Sequence, residues 1–291
     1  MPRKPIDELI DQQRGWLDPL GKTLAEGIEQ LRRTGPFGQR VMDYLHGVWL
    51  GHPLHAAITD VPVGAWTVGV TLDAIDSFAP NRAVRGCADG AIALGLLGGL
   101  AAAPAGAADW HHLTGHDRRL GLVHGLLNTT VSAMYAVSLL LRRTGARPLG
   151  VSLGTLAYII AGFSAYLGGE LVYGAGVGVD RTAWERPPKN FVPVLPEAEL
   201  EENKPTKVAA RGVDVVLVKR HGHIHALAAT CTHLGGPLAE GSLEDDAIVC
   251  PWHGSMFALA DGSVVGGPAT FAAQVYEVRL SNGQIEVRVE R

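Results

Sequence analysis

Two short segments near the carboxyl end of the sequence each hold one cysteine and one histidine. Cys231 and His233 form the pattern C-x-H, and Cys250 and His253 form the pattern C-x-x-H. Thiolates and imidazoles together suit zinc or an iron–sulfur cluster. Zinc knuckles usually use a C-x-x-C pair, whereas each segment here offers one sulfur and one nitrogen. That division favours a [2Fe–2S] cluster with both cysteines on one iron and both histidines on the other.

The segments CTHLGG (231–236) and CPWHGS (250–255) resemble the cluster-binding loops of the Rieske family. Gly235 and Gly254 let the backbone come close to a cluster, where amides can donate hydrogen bonds to sulfur. The resemblance covers residues 190–291. It implies a small electron-transfer domain whose two histidines lie at the exposed edge and form the electron exit.

Two further residues take their expected roles from this resemblance. Ser255 matches a serine whose hydroxyl bonds to the cluster sulfurs, and Pro268 belongs to the tripeptide GPA (267–269), which resembles the loop that covers the cluster. The alternating apolar pattern of VDVVLVKR, HIHALAAT and VYEVRL predicts strands, in agreement with an all-β domain.

The sequence departs from the Rieske subunits of quinol-oxidising complexes at three positions. Those subunits carry an extra cysteine in each loop, forming a disulfide, and Gly236 and Trp252 occupy these places here. Phe257 replaces a tyrosine that supplies a second hydroxyl to the cluster. Losing a donor leaves the reduced cluster less stabilised. We therefore expect a reduction potential below that of the quinol-oxidising type and above that of the lowest ferredoxin type.

The middle of the sequence is apolar and predicts helices that cross a membrane. Each apolar segment has about the twenty residues that a bilayer requires, and small residues in the second and fourth segments permit close helix packing. The first segment is the weakest candidate because it carries three aspartates, and a soluble helical core is the alternative. The segments are 56–78, 87–108, 120–141 and 149–173.

The predicted fold class is multidomain α + β, with a four-helix transmembrane bundle followed by an all-β Rieske domain. A stretch rich in proline and charge separates the two and reads as a linker. The predicted divisions are amphipathic interfacial helices at 1–50, the transmembrane domain at 51–179, the linker at 180–205 and the Rieske domain at 206–291.

An even number of crossings puts the amino terminus, the Rieske domain and a layer of polar side chains on one side of the membrane. Polar groups inside a bilayer are costly, so this layer suggests a function. Three interpretations of this layer remain open: it binds a b-type haem or a metal, it binds a quinone headgroup, or it is a water-facing layer that only packs the helix ends. His52 and His55 share a helix face if the helix begins that early, and His124 and Asn128 share one at i, i+4. The layer comprises His52, His55, Asp60, Asp109, His112, His124, Asn128 and Glu170.

Three stretches of this half, GHPLHAAITDVPVG (51–64), ADWHHLTGH (108–116) and LVHGLLN (122–128), carry a second resemblance. They are similar to an uncharacterised family of bacterial four-helix membrane proteins, over roughly residues 45–180. Its activity is not established, so the resemblance implies a membrane location and little about chemistry. Glu170 stands where that family often has a histidine.

Composition and charge narrow the partners and the compartment. The net charge is −4 with both signs mixed, which gives no indication of a nucleic-acid partner. Three cysteines are too few for a disulfide framework. The amino terminus lacks the apolar core of an export signal. We therefore expect a multi-pass protein of the bacterial inner membrane, with the amino terminus and the Rieske domain in the cytoplasm.

These features predict a membrane-tethered protein that moves single electrons from a soluble donor to a membrane acceptor, either haem or quinone. It would act as an electron-transfer protein or as a subunit of an oxidoreductase, with the bilayer and an unidentified redox protein as partners. The alternative is a redox sensor or scaffold whose helices only anchor the cluster. A Rieske oxygenase would need a mononuclear iron site of two histidines and a carboxylate, and no such domain follows the cluster motif.

Overall fold

The computed structural model describes residues 4–289 and divides into two compact units. The first, here called the helical unit, comprises Met1–Gly35 and Leu54–Val177. The second, the β unit, comprises Pro36–Pro53 and Gly178–Arg291. The predicted domain boundaries stay a prediction. The compact units differ from them most clearly at residues 36–53, which group with the β unit and not with the amino-terminal helices.

The helices lie close to the predicted apolar segments. The last of these helices continues into a π-helical turn at Glu170–Gly174. The helices are α1 (Pro5–Gln12), α2 (Arg14–Arg32), α3 (Pro36–His46), α4 (Leu54–Ile58), α5 (Asp60–Phe78), α6 (Arg82–Trp110), α7 (Gly115–Arg143) and α8 (Arg147–Gly169).

Helices α5 to α8 pack side by side around an aromatic pair. The ring of Trp66 on α5 stacks on that of Tyr135 on α7, with centroids 4.6 Å apart. Gly95 of α6 makes this contact possible, because a Cβ there would lie 2.4 Å from the Trp66 ring. Small residues thus bring the backbones together, as in many membrane helix bundles.

Three helices of the described chain are long and apolar enough to cross a membrane: Arg82–Trp110, Gly115–Arg143 and Arg147–Gly174. Helix α5 is not among them, and it carries Asp60, Asp73 and Asp76. The structure therefore supports a helical region with three apolar candidate spans. The fourth crossing remains a prediction.

One ion-pair network joins the four packed helices at a single end. Arg142 Nη1 of α7 lies 2.8 Å from Asp73 Oδ1 of α5, and the two side chains are 1% and 4% exposed. Asp89 of α6 accepts from Arg142 at 3.0 Å and from Arg147 of α8 at 2.9 Å. Arg142 and Asp73 are buried, and half-buried Arg147 and Asp89 complete the network. Two cations and two carboxylates neutralise one another, which is the condition for keeping such groups in an apolar interior.

The β unit contains antiparallel sheets with the orders β1-β10-β9, β2-β3-β4 and β5-β6-β7-β8. Its strands are β1 (Val192–Pro196), β2 (Thr206–Ala210), β3 (Val213–Arg220), β4 (His223–Ala228), β5 (Ser242–Glu244), β6 (Ala247–Val249), β7 (Met256–Ala258), β8 (Val264–Gly266), β9 (Tyr276–Ser281) and β10 (Gln284–Val289).

Strand β3 is the central element of this unit because its two faces enter different cores. Val216 and Val218 pack with Phe257 in one cluster. Val215 and Leu217 pack in a second cluster with residues of β9 and β10. Successive strand residues point to opposite faces. The apolar run VDVVLV therefore produces a strand that is buried on both sides.

Strand β1 lies inside the stretch that was predicted to be a linker. It contains Pro193 and Pro196, and it pairs only with β10 at the edge of its sheet. Proline is tolerated in edge strands because its missing N–H need not serve a second neighbour. Proline content thus indicated a linker where the chain forms an edge strand.

The ion-pair network makes the helical unit sensitive to Arg142. We expect Arg142→Met to lower the free energy of unfolding by about 3 kcal/mol, because the buried Asp73 carboxylate keeps only its longer 3.4 Å contact with Arg147. The measurement is the thermal unfolding midpoint in detergent. Arg143→Gln is the matched control, since Arg143 is adjacent and exposed. Equal midpoints for the two variants would contradict the assigned role.

Candidate functional site

The first cysteine loop of the β unit follows β4 and is closed by its own backbone. The Cys231 N–H donates to the Gly236 carbonyl at 2.8 Å, and the Gly235 N–H donates to the Cys231 carbonyl at 2.9 Å. Gly235 has φ +82°, a conformation that favours glycine. The loop therefore turns tightly around the cysteine and presents its sulfur inward.

The second cysteine loop, between β6 and β7, repeats this pattern. The Cys250 N–H donates to the Ser255 carbonyl at 2.8 Å, and the Gly254 N–H donates to the Cys250 carbonyl at 3.0 Å. Gly254 has φ +77°. In both loops the cysteine N–H thus donates to the carbonyl of the fifth residue after it. The residue just before that carbonyl group's residue is a glycine in the left-handed conformation.

The two sulfurs meet in the interior, and the two imidazoles meet nearer the surface. Cys231 and Cys250 are 1% and 3% exposed. The rings of His233 and His253 lie 5.1 Å apart, nearly perpendicular, and both residues are half-buried. The neighbouring Trp252 is 56% exposed. The arrangement has a buried sulfur end and a more accessible nitrogen end.

The thiols are close enough to share a hydrogen bond. The bond from Cys231, assisted by backbone N–H groups of Trp252 and His253, lowers the pKa of the Cys250 thiol to about 6 although burial opposes this shift. The same bond and burial raise the pKa of Cys231. Burial lowers the pKa of His253, which favours the neutral imidazole that can bind a metal.

The residues present fit a two-iron cluster. They form one pair of thiols and one pair of imidazoles, the division that a Rieske-type [2Fe–2S] cluster requires. A Cβ on Gly236 would lie 2.6 Å from Cys250 Sγ, so this loop has no room for a side chain at that position.

Ser255 connects the cysteine pair to the covering loop. Its hydroxyl is fully buried, accepts the Ala269 N–H at 3.0 Å and donates toward the Cys231 sulfur, a bond that opposes the rise in the pKa of that thiol. Pro268, next to Ala269, is buried beside this contact. Phe257 is also fully buried and contributes no hydroxyl.

Sequence reasoning missed the residues of 36–53 that approach the covering loop. The Gly267 N–H donates to Asp43 Oδ1 at 2.8 Å. The ring of His52 lies 5.6 Å from that of Phe271. No local pattern indicated these contacts, because more than 200 residues separate the partners in sequence.

In the helical unit, two of the predicted layer histidines come together. The rings of His55 and His124 lie 6.4 Å apart and nearly perpendicular. Nδ1 of His55 lies 3.0 Å from the Ala102 carbonyl, and Nδ1 of His124 lies 2.8 Å from the Ser164 carbonyl. A carbonyl can only accept, so each Nδ1 carries a proton, and in the neutral form of the ring Nε2 then has the lone pair. Asn128 Nδ2 lies 3.1 Å from His124 Nε2, as their i, i+4 spacing predicted.

The remaining layer residues are more dispersed. The rings of His112 and His111 lie 3.7 Å apart at the end of α6, and half-buried Asp109 precedes them. Asp60 is exposed at the start of α5. Glu170 accepts a hydrogen bond from Lys4 Nζ at 2.6 Å.

His52 and His55 would share a helix face only if the helix began before His52, and that condition is not met. Helix α4 begins at Leu54, directly after Pro53, which has no regular structure. His52 belongs to the β unit and His55 to the helical unit. Proline restricts the residue before it to extended conformations, so the helix cannot extend back to His52.

Two family models match the chain in separate regions. The model described as Rieske [2Fe-2S] domain matches residues 190–277. The model described as Predicted membrane protein (DUF2231) matches residues 51–181. These matches agree with both resemblances seen in the sequence.

The individual relatives described here each match about a third of the chain. Ferredoxin CarAc of Metapseudomonas resinovorans is 30% identical over 102 residues, which are 35% of this chain and 95% of that protein. Apoptosis-inducing factor 3 of Mus musculus is 30% identical over 93 residues, 32% of this chain and only 15% of that protein. The solved ferredoxin of carbazole 1,9a-dioxygenase from Nocardioides aromaticivorans IC177 is 23% identical with a TM-score of 0.34, covering 35% of this chain and 100% of that chain.

The similarity to CarAc extends over nearly the whole of that ferredoxin. With its paired thiols and paired imidazoles, the chain belongs to the Rieske [2Fe–2S] family through residues 190–277, and its residues 51–181 match the model described as Predicted membrane protein (DUF2231).

Proposed function

We propose that this protein is a membrane-tethered carrier of single electrons. The observation that carries the proposal is the asymmetry of the site. The sulfur pair is buried, whereas His233 and His253 lie together at a half-buried edge beside exposed Trp252. An electron can leave or enter through the more accessible edge while the buried pair holds its iron away from solvent.

The cysteine pair and the histidine pair have distinct roles in this proposal. Cys231 and Cys250 would hold one iron, and His233 and His253 the other. A bound cluster supplies reversible one-electron transfer. The protein supplies position and tuning: the glycine turns fix the loops, and the Ser255 hydroxyl donates toward sulfur, which favours the more negative reduced state.

The His55–His124 pair supports a membrane acceptor in the helical unit. Backbone carbonyls hold both Nδ1–H groups, which is how metal-binding histidines are commonly oriented. The two Nε2 lone pairs could bind a haem iron or accept a hydrogen bond from a quinol. Electrons would then pass from a soluble donor to the cluster and on to this acceptor.

The same contacts also support the second candidate, a redox sensor or scaffold. His124 is already bonded to Asn128, and Glu170 to Lys4. A layer whose polar groups satisfy one another can serve to pack the helix ends alone. In that case the helices would only anchor the cluster.

For location, we propose a multi-pass protein of a bacterial inner membrane with α5 as a fourth crossing. The amino terminus and the Rieske domain would then face the cytoplasm. Exposed Trp16, Leu20 and Leu24 form one apolar side of α2. Such a side supports the predicted interfacial position of this helix.

The first prediction concerns the ligands. Detergent-purified protein reduced with dithionite is expected to give a Rieske-type EPR signal. Cys231→Ser and His253→Ala should abolish it, because each removes one of the two protein ligands of an iron. His223→Ala, an exposed histidine of the same unit, should retain it. A full signal in His253→Ala would contradict the ligand assignment.

The second prediction concerns the reduction potential. We expect an equilibrium titration to give a midpoint well below the top of the Rieske range, which is about +300 mV. Ser255→Ala should lower it by roughly 60 mV, since for a one-electron couple that shift corresponds to about 1.4 kcal/mol, the size of one hydrogen bond to a charged group. A wild-type midpoint near the top of the range would refute the interpretation of Phe257.

The third prediction separates electron carrier from anchor. Purified protein should show b-type haem absorption or yield quinone on solvent extraction, and His55→Leu and His124→Leu should each remove it. Thr129→Val, an exposed α7 residue next to Asn128, is the control. A Rieske signal with neither haem nor quinone would favour the sensor or scaffold.

A further inference from the structure

Residues 36–53, which we call the cover segment, pack against the loop that covers the cysteine pair. The segment contains α3 and a 3-10 turn at Val48–Leu50, and it belongs to the β unit although the whole run of residues 54–191 separates it from the first strand. Asp43 of α3 reaches the loop directly. Its Oδ1 accepts the Gly267 N–H at 2.8 Å.

The Asp43 contact is tight and partly buried. Gln39 Nε2 donates to the same Oδ1 at 2.8 Å, which holds the carboxylate toward the loop. A Cβ at Gly267 would lie 3.1 Å from Val48 Cγ2 and 3.2 Å from Asp43 Oδ1. Glycine lets the loop backbone approach α3 this closely. The neighbouring His46 is only 2% exposed.

The other side of the loop is bonded to the ligand loops. The Ala269 N–H, two residues beyond Gly267, donates to Ser255 Oγ at 3.0 Å. Thr232 Oγ1, between two ligands, donates to the Phe271 carbonyl at 2.7 Å. Loop 267–271 is therefore held by Asp43 on one side and by the ligand loops on the other.

The charge of Asp43 acts in the same place as its hydrogen bonds. Among the described residues, the hydrogen-bond donors to its Oδ1 are the Gly267 backbone amide and the Gln39 side-chain amide, both uncharged. These bonds leave a net negative charge at the covering loop. A reduced cluster is more negative than an oxidised one, so a carboxylate nearby disfavours reduction.

We propose that Asp43 is a positioning residue of the Rieske site, which fixes loop 267–269 over the cluster and lowers its reduction potential through its charge. The inference rests on the proposed cluster and adds a control element from outside the Rieske fold. The segment just before the membrane helices thereby becomes part of the redox centre.

Two substitutions separate the bond from the charge. Asp43→Asn keeps a carbonyl oxygen that can accept from Gly267 but removes the charge. Asp43→Ala removes both. Glu201→Gln, an exposed carboxylate of the same unit, controls for loss of one negative charge elsewhere. The full-length protein is used throughout.

The first readout is hydrogen exchange of the peptide containing Gly267, followed by mass spectrometry. Asp43→Ala should speed exchange of that amide by about tenfold, whereas Asp43→Asn should leave it near the wild-type rate. An exchange rate in Asp43→Ala equal to that of the wild type would overturn the proposal that Asp43 fixes the loop. This readout does not require the cluster to be redox-active.

The second readout is the midpoint potential from an EPR-monitored titration. Asp43→Asn should be more positive than wild type because the charge is gone. Asp43→Ala should fall below Asp43→Asn, because release of the loop also weakens the Ser255 contact. Glu201→Gln should match wild type. Identical potentials for all four proteins would overturn the tuning role.

The two readouts also separate this inference from the proposed function. A wild-type protein without a Rieske EPR signal would refute the proposed function and the tuning role together. The exchange comparison would still decide whether Asp43 clamps the loop. A normal wild-type EPR signal, together with midpoint potentials of Asp43→Asn and Asp43→Ala equal to that of the wild type, would refute the tuning role alone.

Discussion

The β unit depends on one constraint, the closure of two cysteine amides onto carbonyls five residues later. Each closure needs a left-handed residue one position before the accepting carbonyl, and Gly235 and Gly254 provide it. The two closed loops bring both sulfurs together inside the core and both imidazoles to its edge. The sheets, the Ser255 hydroxyl and the covering loop all serve to keep those loops in register.

The helical unit meets a different constraint, the cost of polar groups among apolar helices. It concentrates them at the two helix ends. One end holds the Asp73–Arg142 network, where charges cancel. The other holds His55, His124 and Asn128, whose side chains are hydrogen-bonded to backbone carbonyls or to one another. Structural polar groups and candidate functional ones are thus separated along the same helices.

Local chemistry explains why much of the site was predictable. Ligand identity, glycine turns and Ser255 all lie within two six-residue motifs, so spacing alone was informative. Helix positions were predictable for a similar reason, because about twenty apolar residues leave few alternatives. The number of membrane crossings was harder to predict from the sequence, because three aspartates lower the hydropathy of α5. Two of them pair with Arg142 and Arg85, which hydropathy does not reveal.

By itself, the sequence determined the two Rieske-type cysteine–histidine motifs, the all-β character of the second unit and the apolar helices, because each rests on residues close together in the chain. Only the tertiary structure decided which distant segments meet. It paired Asp43 with Gly267, Asp73 with Arg142 and His55 with His124, and it made an edge strand of a proline-rich linker. Periodicity reports which face of an element is apolar, but it carries no information about which other element covers that face.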